Sequence, residues 1–328
     1  MKAILNELID HRSLTKETAR NVLIDIASGK YNLSLTTAFM TVYMMRSITV
    51  DELQGFRDAM LELCIRAEFD QPVMDVCGTG GDGKNTFNIS TLSSFVVAAA
   101  GQTVAKHGNY GVSSPCGSSN VLEHFGYKFT NDIDELKRSL DRANICFMHA
   151  PLFHPAMKNV APVRKDLGVK TFFNMLGPMV NPAFPKRQLV GVFNLELARM
   201  YGYLYQNTSK DFLIVHSLDG YDEVSLTCPA KFFYNEGERI VEPQDFGFSK
   251  LSHEDIKGGD TIEDSSKTFI NVLENKGTEA QKQAVIANAA MALYTANRKQ
   301  GLSEAVEKAR EALESGNAMK SFKSLLLA

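Results

Sequence analysis

Residues 73–91 read VMDVCGTGGDGKNTFNIST, and this stretch decides the fold class. It begins with a short apolar run typical of a buried strand, continues into six residues of which four are glycine, from Gly78 to Gly83, and then reaches Asn88, a good helix N-cap. Glycines let backbone N–H groups surround an anion, and the start of a helix favours negative charge. The stretch therefore predicts an α/β unit with a phosphate-binding loop. A glycine-rich turn without a ligand is the alternative, although four glycines cost chain entropy that a simple turn does not need.

Two better-known phosphate motifs nearly match this loop. Gly78, Gly80 and Gly83 satisfy GxGxxG, but a dinucleotide site also needs an acid about 20 residues further on, where the chain reads AAAGQTVAKH. The GxxxxGK pattern of a nucleoside-triphosphate loop ends at Lys84, but the Ser or Thr that should follow to bind magnesium is Asn85. We therefore expect neither a dinucleotide nor a nucleoside triphosphate here.

A second loop rich in glycine and serine follows the next predicted strand, TVAKH, and reads KHGNYGVSSPCGSSN over residues 106–120. Lys106 and His107 should lie at the carboxyl end of a parallel strand, where open α/β sheets bind ligands. A surface lysine at a strand end is the alternative for Lys106. Two adjacent anion-binding loops suit a substrate with two separated phosphate groups. Phosphoribosyl pyrophosphate, with a 5-phosphate and a pyrophosphate, fits that description.

Hydrophobic periodicity predicts two domains. Residues 1–68 show helical periodicity only and predict a small all-helical N-terminal domain. From residue 72 to residue 328 short apolar strands alternate with helices, which predicts a larger α/β domain with a central, mostly parallel sheet flanked by helices. Part of residues 155–182, helical and interrupted by prolines, is expected to pack on the N-terminal helices.

Local signals place several elements within these domains. Thr15 should cap one helix, and Thr49 with Glu52 should form the capping box of a helix that runs to about residue 67. Residues 231–243 read as a β-hairpin. The chain from Thr278 onward should form Ala-rich helices that cover the sheet.

Composition narrows the class of partner. The chain has 328 residues, 44% of them hydrophobic, and a formal net charge of −3, with Lys and Arg spread along its length. Nothing resembles the basic patch that nucleic acid or an anionic membrane requires, so a small-molecule partner is favoured. We find no signal peptide and no apolar run long enough to span a membrane. The five cysteines form no CxxC pair and predict reduced thiols in the cytoplasm rather than disulfides or a zinc site: Cys64, Cys77, Cys116, Cys146 and Cys228.

Read together, the motifs resemble those of one enzyme family. GTGGD stands at Gly78–Asp82, NIST at Asn88–Thr91 and KHGN at Lys106–Asn109, and residues 149–183 add a longer block that ends in NMLGPMVNPA. From about residue 3 to residue 325 the chain resembles the anthranilate phosphoribosyltransferases. The resemblance implies transfer of 5-phosphoribose from phosphoribosyl pyrophosphate to the amine of anthranilate in tryptophan biosynthesis, a requirement for Mg²⁺, an active site in the cleft between the domains, and a homodimer formed through the helical domain.

The resemblance also assigns residues to roles. Lys106, His107, Asn109 and Arg164 are implied as catalytic, His107 by shaping the approach of the amine. The residues implied to contact phosphoribosyl pyrophosphate lie in the two loops and at the following helix starts. They are Gly78, Gly81, Asp82, Thr86, Asn88, Ile89, Ser90, Thr91, all residues from Lys106 to Ser114 (among them His107, Gly108, Asn109 and Ser113), and Ser118.

Two further sets complete the implied site. Anthranilate is implied to contact Gly78, Asn109 and Arg164, and a planar guanidinium can hold a carboxylate through two parallel hydrogen bonds. Local pairing of Arg164 with Asp166 is the alternative. Magnesium is implied to be bound by an acidic pair that follows the strand DFLIVH, together with one serine: Asp222, Glu223 and Ser90. A solvated turn is the alternative for the acidic pair.

The second loop departs from the usual family pattern. Where most members have Arg and a small residue after KHGN, this chain has Tyr110 and Gly111, and where Lys and Ser are common it has Pro115 and Cys116. Two positive charges near a phosphate are missing. We expect backbone amides and three serines to compensate: Ser113, Ser114 and Ser118.

Three other functions remain open from the residues. A pyrimidine nucleoside phosphorylase-like enzyme would share the glycine-rich loop and the KH pair, but such relatives are generally longer and lack the block at residues 174–183. A non-catalytic nucleic-acid-binding relative is opposed by the intact loops and the absence of a basic patch. A nucleoside-triphosphatase rests only on the near-match at Lys84.

Overall fold

The computed structural model describes residues 1–111 and 115–327. The strands are β1 Met74–Gly78, β2 Val104–Gly108, β3 Ile145–His149, β4 Arg187–Gly191, β5 Asp211–Ser217, β6 Ala230–Tyr234 and β7 Gly237–Val241. The helices are α1 Lys2–Ile9, α2 Lys16–Ala27, α3 Leu33–Met45, α4 Val50–Leu63, α5 Ile89–Ala99, α6 Ser118–His124, α7 Ile133–Ala143, α8 Ala150–Phe153, α9 Ala161–Leu167, α10 Phe173–Leu176, α11 Leu195–Gln206, α12 Ile262–Leu273, α13 Glu279–Ala296, α14 Gly301–Glu314 and α15 Asn317–Leu326.

The strands form one sheet in the order β3-β2-β1-β4-β5-β6-β7 within the described residues. The first five strands in this order, β3 to β5, are parallel to one another, and β6 and β7 add an antiparallel hairpin next to β5. This confirms the predicted fold class. The chain leaves β1 toward β2 and β3 and later returns to the other side of β1 with β4, so the sheet order reverses at β1. Open α/β sheets bind ligands at such a reversal, beyond the carboxyl ends of the strands.

The chain divides into two compact units. The helical unit comprises Met1–Arg66 and Ala150–Pro182, and the α/β unit comprises Ala67–His149 and Ala183–Ala328. In the helical unit an aromatic cluster joins both of its segments, because Phe172 stacks on Phe56 with ring centroids 4.5 Å apart. Burial of two such rings supplies much of the stabilisation of a small core.

The predicted caps are confirmed in the helical unit, but one helix end was wrong. Thr15 accepts a hydrogen bond from the Thr18 amide, and Thr49 and Glu52 form the complete capping box of α4. Helix α4 ends at Leu63, about four residues before the predicted end. Cys64 is already extended, and the Ile65 amide donates to the Phe153 carbonyl at 2.8 Å. A contact with a remote segment therefore ends the helix, which helical periodicity alone does not reveal.

The carboxyl-terminal helices cover the sheet as predicted. Helix α13 starts at a capping box formed by Thr278 and Gln281. Its alanines are buried on several faces, where it packs between α5 and strands β4 and β5. Close approach of α13 and α5 fixes the amino end of α5 under the first loop, residues 78–88. No helix within residues 1–111 and 115–327 combines the length and apolar character needed to cross a bilayer.

Candidate active site

The first loop is tied to the acidic loop, residues 218–229, which follows β5. The Gly80 amide donates to Asp222 Oδ2 at 2.7 Å, and the Thr86 hydroxyl donates to Glu223 Oε2 at 3.1 Å. The amide of Ser90, in the first turn of α5, also hydrogen-bonds to Glu223. Residues about 140 positions apart in sequence are thereby held at one place, at the carboxyl ends of β1 and β5.

Two glycines allow this close approach. A Cβ atom on Gly78 would lie 2.5 Å from Asp222 Oδ2, and one on Gly191, at the end of β4, would lie 1.4 Å from the Asp222 carbonyl oxygen. No side chain fits at either position, since real Cβ contacts are longer than 3.0 Å. The glycine at the end of β1 thus makes room for the acidic loop, a use that the phosphate-loop reading of the sequence did not include.

Three carboxyl groups converge here, and their pKa values are raised. Burial and the nearby Asp82 carboxylate raise the pKa of Asp222 to about 7. Burial and the neighbouring Asp222 raise the pKa of Glu223 well above its usual range, and burial raises that of Asp82. The Asp222 side chain is only 7% exposed. Removing carboxylates from water and placing them together disfavours their charged forms, and a cation among them would reverse that effect.

The raised pKa predicts that Asp222→Asn stabilises the metal-free protein. The pKa of Asp222 is about 7 in the fold against a usual 3.8, so the free energy of unfolding should fall as pH rises from about 4 to 7 and level off above that. Each pKa unit corresponds to about 1.4 kcal/mol. Asparagine cannot ionise and can still accept from the Gly80 amide. Calorimetry in chelator should show the melting temperature of the variant exceeding that of the unmodified protein by more at pH 8 than at pH 5; an equal difference at both would contradict the assignment.

The second loop spans residues 109–117, after β2. The first two residues of its KHGN motif, Lys106 and His107, are buried. Lys106 is 2% exposed, and its ammonium group donates to the Val76 carbonyl in β1 at 2.6 Å. Burial lowers the pKa of Lys106, and the Asp75 carboxylate acts against that shift. The His107 amide donates to Asp75 Oδ1 at 3.3 Å. In this conformation Lys106 lies among strand backbones, and exposed Asn109 is the first residue of the motif with an accessible side chain.

Asn88 does not act as the predicted cap. It holds the N-cap position of α5, but its side chain makes no capping bond. Its Nδ2 group instead donates to the Cys116 carbonyl at 2.9 Å. The Asn88 side chain thus joins the first loop to the second, and capping statistics could not distinguish these two uses of the same residue.

The other implied residues lie in the two loops and at the start of α5, apart from two that the structure does not describe. Gly78, Gly81, Asp82 and Thr86 lie in the first loop, and Gly108, Asn109 and Ser118 lie at the two ends of the second. Ser113 and Ser114 lie outside the described residues. The following residues begin helix α5: Ile89, Ser90 and Thr91.

Arg164 lies in α9 of the helical unit, and its surroundings differ from the expected alternative. The half-buried guanidinium lies 5.4 Å from the centre of the Phe173 ring. Burial lowers the pKa of Arg164. Among the residues that the structure describes, neither Asp166 nor any other carboxylate forms an ion pair with it. A partly desolvated guanidinium of this kind favours an anionic ligand.

Sequence reasoning missed a segment that supports the first loop. Thr86 and Lys257 form an isolated antiparallel bridge, and the Gly258 amide donates to the Asn85 carbonyl at 2.6 Å. The Asn85 side chain donates to the Gly259 carbonyl at 3.3 Å. In the sequence, only the adjacent glycines Gly258 and Gly259 indicated a close backbone contact. The support fixes Thr86, which donates to Glu223.

The oxygen donors of this site fit a magnesium ion. Magnesium prefers oxygen ligands and is usually bound by one or two carboxylates together with substrate phosphates and water. Asp222 and Glu223 supply such oxygens beside a loop suited to phosphate, and Ser90, whose amide bonds to Glu223, carries a further hydroxyl oxygen. Within residues 1–111 and 115–327, no group of three or more His, Cys, Asp or Glu could hold a metal ion by itself.

Comparison with known proteins gives full-length matches. The family model "Glycosyl transferase family, helical bundle domain" matches residues 2–64, and "Glycosyl transferase family, a/b domain" matches residues 70–319. An anthranilate phosphoribosyltransferase of Flavobacterium johnsoniae is 61% identical over 99% of this chain and 98% of its own length. One of Christiangramia forsetii is 59% identical over the same shares.

Solved structures agree in fold. The crystal structure of anthranilate phosphoribosyltransferase from Thermus thermophilus superposes with a TM-score of 0.90 at 31% identity, covering 99% of both chains. The Saccharomyces cerevisiae enzyme in complex with phosphoribosyl pyrophosphate and Mg gives a TM-score of 0.90 at 24% identity, covering 98% of this chain and 95% of that one.

Proposed function

The chain belongs to the glycosyl transferase family of the anthranilate phosphoribosyltransferases, and we propose that it catalyses their reaction. It transfers 5-phosphoribose from phosphoribosyl pyrophosphate to anthranilate, giving N-(5-phosphoribosyl)anthranilate and pyrophosphate, a step of tryptophan biosynthesis. The bond from ribose C1 to the pyrophosphate oxygen breaks, a bond from C1 to the amine nitrogen forms, and the amine loses a proton. The observation that carries the proposal is the attachment of buried Asp222 and half-buried Glu223 to a glycine-rich loop.

The first and second loops bind the two anionic ends of the donor in this proposal. Strands β1 and β2 are parallel neighbours, so the two loops leave the same edge of the sheet. The Asn88–Cys116 hydrogen bond joins them. Backbone amides and the helix start at Ser90 and Thr91 suit phosphate oxygens. A donor with phosphates at both ends matches two joined anion sites better than a single phosphate does.

Asp222, Glu223 and Ser90 hold magnesium on the leaving pyrophosphate. When bound there, magnesium neutralises the negative charge that develops on the leaving group. Thr86 and the Gly80 amide keep the two carboxylates oriented before the donor binds. Buried Lys106 contributes a fixed positive charge beneath the loops. These groups stabilise charge that develops in the transition state, and no covalent attack by the protein is needed.

Arg164 and Asn109 orient the acceptor. The half-buried guanidinium has no ionic partner among the residues that the structure describes, which suits the anthranilate carboxylate, and its contact with Phe173 restricts its orientation. The amine of anthranilate is uncharged at neutral pH, so positioning supplies most of what the nucleophile requires. The 61% identity to the Flavobacterium johnsoniae enzyme supports anthranilate as the acceptor.

Assembly and location are part of the proposal. Several large apolar side chains on α1 and α3 are exposed: Ile9, Leu33, Met44 and Met45. Apolar patches of this kind mark interfaces, which supports a homodimer formed through the helical unit. The free cysteines support a cytoplasmic enzyme. The net charge of −3, with Lys and Arg spread along the chain, supports small-molecule partners rather than nucleic acid or a membrane.

The test is the loss of anthranilate fluorescence when purified protein is mixed with phosphoribosyl pyrophosphate, in magnesium or in chelator. Loss that requires both the donor and magnesium is the expected result. No loss in either condition would overturn the proposal. Tyr110, Pro115 and Cys116 would then mark a changed substrate, to be sought among other aromatic amines and nucleosides.

A further inference from the structure

One side chain closes the two ends of the second loop. Asn120 Oδ1 accepts a hydrogen bond from the Gly111 amide at 2.9 Å and another from the Gly117 amide at 3.0 Å. The bond to Gly117 is a capping bond within α6, whereas the bond to Gly111 reaches back to the start of the loop. The side-chain oxygen of half-buried Asn120 therefore holds the two ends of the second loop together.

The backbone around this oxygen is packed tightly. A Cβ on Gly117 would lie 2.3 Å from the Gly111 nitrogen and 2.6 Å from the Tyr110 carbonyl carbon, so the two ends of the loop touch backbone to backbone. The Asn109 carbonyl accepts from the Ser119 amide at 3.1 Å and from the Ser118 hydroxyl at 3.3 Å. These bonds fix the closing end of the loop directly after the KHGN motif.

Two further links tie this closure to functional groups. The Cys116 carbonyl, next to Gly117, accepts from Asn88, which belongs to the first loop. Exposed Asn109 immediately precedes the closed segment. Movement of the residues at positions 111 and 117 would therefore disturb both anion loops.

We propose that Asn120 is a positioning residue for the phosphoribosyl pyrophosphate donor, acting by closing the second loop through the Gly111 and Gly117 amides. This inference rests on the proposed function. It assigns a role that neither the glycine-rich motif nor the KHGN motif contains. Because the second loop of this chain lacks two positive charges, its grip on an anion depends on the placement of its backbone amides.

Steady-state kinetics of Asn120→Ala tests the proposal. The KM for the donor should rise about 10- to 100-fold, because small displacements of positioning groups have effects of that size. The KM for anthranilate should rise much less than the KM for the donor, since Asn109 is the only implied acceptor residue that adjoins the closed segment. Asn120→Asp should recover most of the loss, since a carboxylate oxygen can accept both amide bonds. Asn120→Leu preserves the volume without an acceptor and should behave as the alanine variant does.

Amide hydrogen exchange provides a readout independent of turnover. Peptides containing Gly111 or Gly117 should exchange faster in Asn120→Ala and Asn120→Leu than in the unmodified protein, and at the normal rate in Asn120→Asp. Asn207→Ala is the matched control, because within residues 1–111 and 115–327 its exposed side chain bonds only to the nearby Tyr203 carbonyl. That variant should change neither the exchange nor either KM.

The outcomes separate this inference from the function on which it rests. A protein that consumes no anthranilate overturns both. An active protein whose donor KM is unchanged in Asn120→Ala and Asn120→Leu overturns only the positioning role, as does an equal rise in both KM values. Faster exchange with an unchanged donor KM also overturns it, because the contact would then be structural alone.

Discussion

Replacing both Asp222 and Glu223 by alanine is expected to lower the turnover number by at least about 100-fold, since removal of a single preorganised electrostatic contact in an active site has effects of that order. The affinity for anthranilate should change much less than turnover, because Arg164, which is implied to hold its carboxylate, lies in helix α9 and not in the loop that carries the acidic pair. Turnover at saturating magnesium from anthranilate fluorescence, together with direct titration of anthranilate, measures both. Unchanged turnover would falsify the metal role of the pair.

The paired amide variant, Asp222→Asn with Glu223→Gln, separates charge from shape. It keeps acceptors for the Gly80 amide and the Thr86 hydroxyl, so the loop should remain in place while the negative charge is lost. We expect the same loss of turnover as with alanine. Glu254→Ala, an exposed acid elsewhere in the unit, should be fully active. A paired amide variant with normal turnover would show that the loop contacts, rather than the charge, matter.

These acids carry opposite consequences for stability and function. The substitution that should raise the melting temperature of the metal-free protein, Asp222→Asn, also removes one of the two carboxylates on which turnover is expected to depend. Buried carboxylates with raised pKa values destabilise the empty fold, and a cation removes that cost. Clusters of this kind are typical of functional sites, which favours a metal site over the solvated turn that was the open alternative for Asp222 and Glu223.

The fold could be predicted because its signals are local. The alternation of apolar strands with helices predicted the parallel sheet, and Thr49, Glu52 and Thr278 marked helix starts correctly. Helix α7, Ile133–Ala143, was missed although its signals were present: Asp132 caps it, and Leu136 and Leu140 are buried on one face. The end of α4 could not be found, because the Ile65 amide is bonded to a segment nearly 90 residues away.

The candidate site could be predicted only in part for the same reason. The glycine-rich loop and the acidic pair are contiguous motifs, so residues such as Gly78 and Asp222 could be named. The hydrogen bond from the Gly80 amide to Asp222 could not be predicted, since it joins residues 142 positions apart. For the same reason, the sequence did not reveal the contact between Gly191 and Asp222 or the closure of the second loop by Asn120. Side-chain oxygens that bond remote amides leave no periodic signal in a sequence.

Arg164→Ala is expected to raise the KM for anthranilate by about 10- to 100-fold, because a hydrogen bond to a charged group contributes about 1.5–3 kcal/mol. The KM for phosphoribosyl pyrophosphate should be unaffected. Arg164→Lys keeps the charge but cannot form two parallel bonds, so its KM should be intermediate. Arg12→Ala, which removes an exposed arginine of the helical unit, should leave both constants unchanged.

An acceptor without a carboxylate makes this test specific. If the guanidinium binds the anthranilate carboxylate, an aromatic amine that lacks it should be used equally poorly by the unmodified protein and by Arg164→Ala. If Arg164→Ala used this amine less well than the unmodified protein does, Arg164 would act on the amine or the ring rather than on the carboxylate. Thermal stability should not fall in Arg164→Ala, because a partly buried cation without an ionic partner among the described residues costs desolvation energy in the empty protein. Lost acceptor binding with retained stability would assign Arg164 to the substrate rather than to the fold.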